Sequence, residues 1–110
     1  MPAKKALLSD DALQLVARRF AVLGEPMRLR LLRALIEGEK SVGALAAETE
    51  GTQANVSRHL QTLAEAGLVG RRKEGLQVFY SIADPSIFDL CELVCGSLNQ
   101  QTRARARIFA

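Results

Sequence analysis

The chain has 110 residues, 48% of them hydrophobic, with 15 Lys and Arg against 12 Asp and Glu, a net charge of +3. That length allows one domain and excludes two full cores, and the apolar share excludes wholesale disorder. No apolar run approaches the roughly 18–20 residues of a membrane span, so no membrane partner is expected.

The start, MPAKKALLSDDA, lacks the apolar h-region of a signal peptide. The two cysteines are too few for a disulfide scaffold and are not spaced as a zinc finger. The expected compartment is a reducing cytosol.

Residues 11–23 place Leu13, Val16, Ala17, Phe20 and Leu23 at helical spacing. Asp10 or Asp11 is the expected cap. Gly24 breaks the pattern, and Pro26 stands where a first helical turn tolerates proline. The next helix puts Leu29, Leu32, Leu35 and Ile36 on one face and stops at Gly38. Ser41 is an N-cap candidate for a short helix whose apolar face is Val42, Leu45 and Ala46. A turn centred on Gly51 follows, and Thr52 caps QANVSRHLQTLAEAG, where Val56, Leu60, Leu63 and Ala64 face inward. Two short helices across a glycine-containing turn, about 41–66, are the signature of a helix-turn-helix.

From about 68 to 82 the composition turns to strand. Gly75 suits the left-handed position of a hairpin turn, and Val78, Tyr80 and Ile82 alternate with Gln77, Phe79 and Ser81. Asp84-Pro85 starts a last helix, about 85–102, with a stripe of Ile87, Leu90, Cys91, Val94, Cys95 and Leu98. The fold expected is mainly α with a β-hairpin wing, one domain over 1–110. Its first and last helices carry more apolar surface than a small core absorbs, so they are expected to pair with their mates in a symmetric dimer.

In a helix-turn-helix the second helix enters the major groove with its N-terminal residues nearest the bases. Here those are Thr52, Gln53, Ala54, Asn55, Ser57, Arg58 and His59. Gln and Asn pair with adenine, and Arg pairs with guanine. Arg71, Arg72 and Lys73 are consecutive cations before the hairpin turn, placed to meet phosphate. Read alone, they equally suit a solvated strand edge. His59 either contacts phosphate or bonds within the helix pair.

These residues resemble the ArsR/SmtB family of transcriptional regulators. The stretch from Ser41 to Ile82 is similar to that family's winged helix-turn-helix. Leu23, Pro26, Arg28, Leu29 and Leu32 match its Leu-x-x-Pro-x-Arg-Leu-x-x-Leu junction. The likeness spans roughly residues 15–98. It implies a homodimeric repressor that binds double-stranded DNA at an inverted repeat and is released by an inducer. By position, Thr52, Gln53, Asn55, Ser57, Arg58 and His59 fall on the family's recognition helix, and Arg71 to Gly75 on its wing.

The chain departs from the family's metal sensors. The segment GEKSVGALAAE has no cysteine where the arsenic- and cadmium-sensing members carry a cluster. The last helix has Asp84, Asp89 and Glu92 but no histidine, a poor transition-metal set. Cys91 and Cys95 remain, four apart on one helix face. Two thiols so placed suit thiol chemistry (oxidation or persulfidation), As(III) or another soft metal ion, or simple packing. A disulfide between them within one intact helix is strained, because their Cβ bonds run parallel.

The basic tail, Arg103, Arg105 and Arg107, either reaches phosphate or is a solvated terminus. A single histidine, no supported nucleophile–base pair and no Gly-rich phosphate loop argue against an enzyme. A winged-helix protein-interaction module is the remaining alternative.

Overall fold

The computed structural model describes residues 9–102; the basic tail therefore lies outside the described residues. The order is α1 (Asp10–Leu23), α2 (Pro26–Leu35), β1 (Lys40–Ser41), α3 (Val42–Thr49), α4 (Gln53–Glu65), β2 (Val69–Glu74), β3 (Gln77–Ile82) and α5 (Ser86–Thr102). The strands form one antiparallel sheet in the order β1-β3-β2. This is the expected winged helix-turn-helix, with α3 and α4 as its two helices and β2–β3 as the wing.

Local chemistry sets most boundaries. Ser41 Oγ accepts from Ala44 N at 3.1 Å, and Thr52 Oγ1 from Asn55 N at 3.1 Å, so both expected caps form. Pro26 occupies the first turn of α2. At α1 the cap is Ser9, whose Oγ accepts from Ala12 N at 3.3 Å, and not Asp10 or Asp11. Those two aspartates lie inside the first turn, where the helix dipole favours negative charge.

One further expectation is corrected, and two features are additional to the sequence reading. First, the inward face of α2 is Leu31, Leu32, Ala34 and Leu35, while Leu29 and Ile36 are exposed. Apolar residues surround this helix on several sides, and packing against α3 and α4 chose among them. Second, the left-handed residue in the turn before α4 is Glu50, at φ 58. Gly51 serves space instead. Third, Lys40–Ser41 forms a strand on β3, with Lys40 opposite Tyr80 and Ser41 opposite Phe79. Two residues give no periodicity to read.

The wing pairs from Val69↔Ile82 to Glu74↔Gln77, leaving Gly75 and Leu76 as its turn. Gly75 has φ +61, the conformation expected of it. Alternation along β3 is blunted: Tyr80 is buried, but Phe79 is also half-covered. The Arg72 guanidinium lies 4.7 Å over the Phe79 ring and shields that face.

The core is Leu31 and Leu35 of α2, Leu45 of α3, Val56, Leu60 and Leu63 of α4, Leu68 and Tyr80 near the sheet, joined by Ile87. Each fully buried Leu contributes about 1.5–3 kcal/mol, which anchors α4 from beneath. The two outer helices contribute little. Among their residues only Leu23 of α1 and Ile87 of α5 are buried. Leu13, Val16 and Phe20 on α1, and Leu93, Val94 and Leu98 on α5, remain exposed. Val22, Phe88, Leu90 and Cys91 pack against the core, and the rest of these apolar faces is not used within one protomer.

Candidate nucleic-acid interface

Helix α4 divides cleanly. Val56, Leu60 and Leu63 have no exposed surface. Gln53, Ala54, Arg58 and Gln61 point outward, with Asn55, Ser57 and His59 half-buried at the margins. Thr52 sits at the helix start and commits its oxygen to the cap.

A groove runs between α4 and the wing. Gln53, Ala54, Ser57 and Gln61 form one wall, Arg71 and Gln77 the other, and the N-terminal end of α3 closes one side. Gln61 is not among the residues expected from the sequence, yet it follows Gln53 and Ser57 at four-residue steps, a helical repeat that identifies it. At Gly43 a Cβ would meet Gln53 Nε2 at 3.3 Å, so the glycine lets that amide lie over the start of α3.

Several candidate side chains are bonded to other protein groups. Arg58 Nη2 donates to Asn55 Oδ1 at 2.6 Å, which couples two of the base-reading candidates. His59 Nδ1 accepts from Arg28 Nε at 3.1 Å, while Arg28 Nη1 holds the Val22 carbonyl at 3.0 Å. The histidine thus bonds within the protein, to α2 and not within the expected pair of α3 and α4. With Nδ1 accepting, Nε2 is the nitrogen left for any other partner.

The three wing cations separate. Strand alternation turns Arg71 toward the groove and Arg72 to the other face. There Arg72 meets Glu39 through two bonds, Nε to Oε2 at 3.0 Å and Nη2 to Oε1 at 2.8 Å. Its Nη1 donates to Glu74 Oε2 at 2.6 Å. The bidentate fork is the geometry arginine forms best with a carboxylate. The bonds from Arg72 lower the Glu39 carboxyl below its ordinary value, and the two carboxylates push the arginine further up. Among the described residues no ion pair forms at Arg71 or Lys73.

Cys91 and Cys95 stand one turn apart on α5. Cys91 is half-buried and Cys95 exposed. Burial, and then the neighbouring Cys95, push the Cys91 thiol above its ordinary value, so the described residues around Cys91 favour the neutral thiol. Among the described residues no three His, Cys, Asp or Glu side chains gather as a metal site. Asp84 is engaged elsewhere: its Oδ1 accepts from Ser86 N and Oγ at 3.1 and 2.6 Å. Among the described residues no helix is long and apolar enough to cross a membrane.

Known proteins share this fold. A family described as a helix-turn-helix domain matches residues 23–72. The uncharacterized HTH-type transcriptional regulator Rv0081 of Mycobacterium tuberculosis is 39% identical over 83 residues, 74% of this chain and 73% of its own length. Its crystal structure matches with a TM-score of 0.77, at 34% identity, over 88% of this chain and 98% of that one. A protein of Synechocystis sp. described as a transcriptional repressor SmtB homolog is 36% identical over 94 residues, 86% of this chain and 71% of its own. The solution structure of a homodimeric winged helix-turn-helix DNA-binding domain from Mycobacterium bovis, described as a possible ArsR-family regulator, matches with a TM-score of 0.71. There the identity is 35%, over 84% of this chain and 88% of that one.

Proposed function

This chain belongs to the ArsR/SmtB family of winged helix-turn-helix transcriptional regulators, and we propose that it acts as a homodimeric, cytosolic repressor of its own or a nearby promoter. The observation that carries this reading is the polar face of α4, mounted on Val56, Leu60 and Leu63 and continuous across a groove with Arg71. A rigid helix with Gln, Asn, Ser and Arg on its outer side has the donors and acceptors that distinguish base pairs in a major groove. Thr52, Gln53, Asn55, Ser57 and Arg58 are the proposed readers, with His59 contributing through Nε2. Arg71 and Lys73 meet phosphate, and Arg72 meets it only by exchanging its carboxylate partners.

The open faces of α1 and α5 supply the dimer. Leu13, Val16, Phe20, Leu93, Val94 and Leu98 leave the exposed apolar surface that marks a protein–protein interface. Pairing two copies sets two α4 helices about one helical turn of DNA apart, which matches an inverted repeat.

The proposed trigger is thiol chemistry at Cys91 and Cys95, oxidation or persulfidation, which changes the packing of α5 and with it the half-site spacing. Cys95 is exposed enough to react first. As(III) or another soft ion on the same thiols is the second reading. Two thiolates per protomer fall short of three for As(III), unless the partner's α5 supplies more. The raised Cys91 thiol supports a third reading, a repressor whose cysteines only pack.

Fluorescence anisotropy on DNA from the protein's own upstream region separates these. The reduced protein is titrated at fixed salt, then challenged with polysulfide, peroxide or As(III), beside Cys91→Ser and Cys95→Ser. Release by one reagent, absent in the serine variants, names the chemistry. Tight binding indifferent to all three assigns the cysteines to packing. Absence of salt-dependent binding favours a protein-interaction module instead.

A further inference from the structure

Arg19 lies on α1, one residue before the exposed Phe20, and its guanidinium reaches two other elements. Nη2 donates to the Ala66 carbonyl at 3.0 Å, and Ala66 is the residue that closes α4. Nη1 stands 3.8 Å from Asp84 Oδ2. The other oxygen of Asp84 accepts from Ser86 N and Oγ, where α5 begins. The backbone N–H groups of Ala83 and Asp84 both donate to the Leu68 carbonyl, at 3.0 and 3.3 Å.

One side chain thus joins the end of α4 to both outer helices. The carbonyls at a helix C-terminus carry partial negative charge and lack partners in their own helix. A guanidinium placed there, from a residue 47 positions away in sequence, fixes the helix end in direction as well as in place. An ion pair as exposed as Arg19–Asp84, with side chains 41% and 38% accessible, adds little to stability. Its geometry is therefore the more consequential property.

We infer that Arg19 is a positioning residue: it sets the angle of α4 against the dimer-forming helices, and so the half-site spacing at which two copies read DNA. The inference rests on the reading of the chain as a dimeric DNA-binding regulator. It also gives α5 a route to α4. A shift at the start of α5 moves Asp84, and Asp84 and the end of α4 share one guanidinium.

The test uses duplexes that the wild-type protein selects from a random pool, together with versions carrying one base pair more or fewer between the half-sites. Wild type is expected to bind the altered spacings at least about tenfold more weakly. Arg19→Gln is expected to keep the dimer and a thermal midpoint within a few degrees, yet bind the selected duplex about tenfold more weakly. Its penalty for altered spacing shrinks to about threefold or less. Asp84→Asn, which removes one of the two interactions, falls between. A folded, dimeric Arg19→Gln with the full spacing penalty overturns the proposal. If that variant does not fold, an unchanged penalty in both Arg19→Lys and Asp84→Asn overturns it equally. Failure of the wild type to select any duplex removes the DNA-binding reading itself, a result distinct from an unaltered penalty in the variants.

Discussion

A methyl group added at Gly51 stands 2.9 Å from Cγ2 of Val56 and 3.4 Å from Cε of Met27. Val56 has no exposed surface, so it cannot swing aside. The turn between α3 and α4 is held at this tightness by the absence of a side chain, and the left-handed residue beside it is Glu50. Gly51→Ala is expected to cost about 1–3 kcal/mol through overpacking. Glu50→Gly is expected to stabilise by about 0.5–1 kcal/mol by removing the Cβ clash of a left-handed residue. Urea unfolding followed by circular dichroism orders the two; the reverse order sinks this account of the turn.

The wing cations are expected to differ. Arg71→Gln with Lys73→Gln should weaken binding to all duplexes and flatten the salt dependence, by about one unit of log–log slope for each phosphate left unneutralised. Arg72→Gln should change the slope less, because Glu39 and Glu74 already neutralise it. It should instead loosen the wing, visible as faster amide exchange along β2. Equal slopes in all the variants argue against the division of labour.

The proposed dimer would cover Phe20 and Leu93, 53% and 73% accessible in the protomer, with a second copy. Burying each is worth about 1.5–3 kcal/mol, counted once per protomer in a symmetric interface. Phe20→Glu or Leu93→Glu should therefore yield monomers at micromolar concentration in light scattering, with operator affinity abolished and helix content largely kept. A dimer that survives both moves the interface elsewhere.

Acid should weaken the fold. Glu37, Glu39 and Asp84 are held below their ordinary values, first by bonds to Lys40, Arg72 and Ser86 respectively. A lowered carboxyl stabilises the fold above its unfolded value and loses that contribution as pH falls through the folded one. Lys40, raised by Glu37 and Glu48, contributes below its unfolded value and fades only as pH rises past its folded one. The urea midpoint should thus be level from about pH 5 to 9 and decline below about 4. The decline should be shallower in Glu39→Gln and in high salt, since Glu37 and Glu39 are exposed and Asp84 is half-exposed. A decline that is as steep in Glu39→Gln assigns the acid sensitivity elsewhere.

The elements legible in the sequence are those set by neighbours along the chain. Ser41 and Thr52 mark helix starts because a cap bonds three residues ahead, and Gly75 marks the wing turn because a left-handed residue is needed there. Leu31 against Leu29 is not legible, since the apolar residues of α2 fit more than one face and only α3 and α4 decide. Nor are the long-range pairs. Arg28 finds His59 31 residues away, and Arg72 finds Glu39 33 residues away. Arginine is equally at home on a solvated surface, so its presence in the sequence gives no hint of which carboxylate or ring it will meet. The polar face of α4 is readable by period, whereas the bond that ties Asn55 to Arg58 depends on which rotamers win.

That last bond, 2.6 Å from Arg58 Nη2 to Asn55 Oδ1, bears on how forgiving the reader is. A lone polar side chain facing the wrong base is stranded without a partner, and the stranding is what makes a mismatch costly. Asn55 and Arg58 have each other to return to. In the proposed role of base readers, a base pair that fails to engage them still leaves the bond between them, so the discrimination is softer than two independent readers would give. Promoters whose half-sites drift at these positions should then remain occupied in graded fashion, and one regulator can rank a set of divergent sites by strength instead of accepting one and refusing the rest.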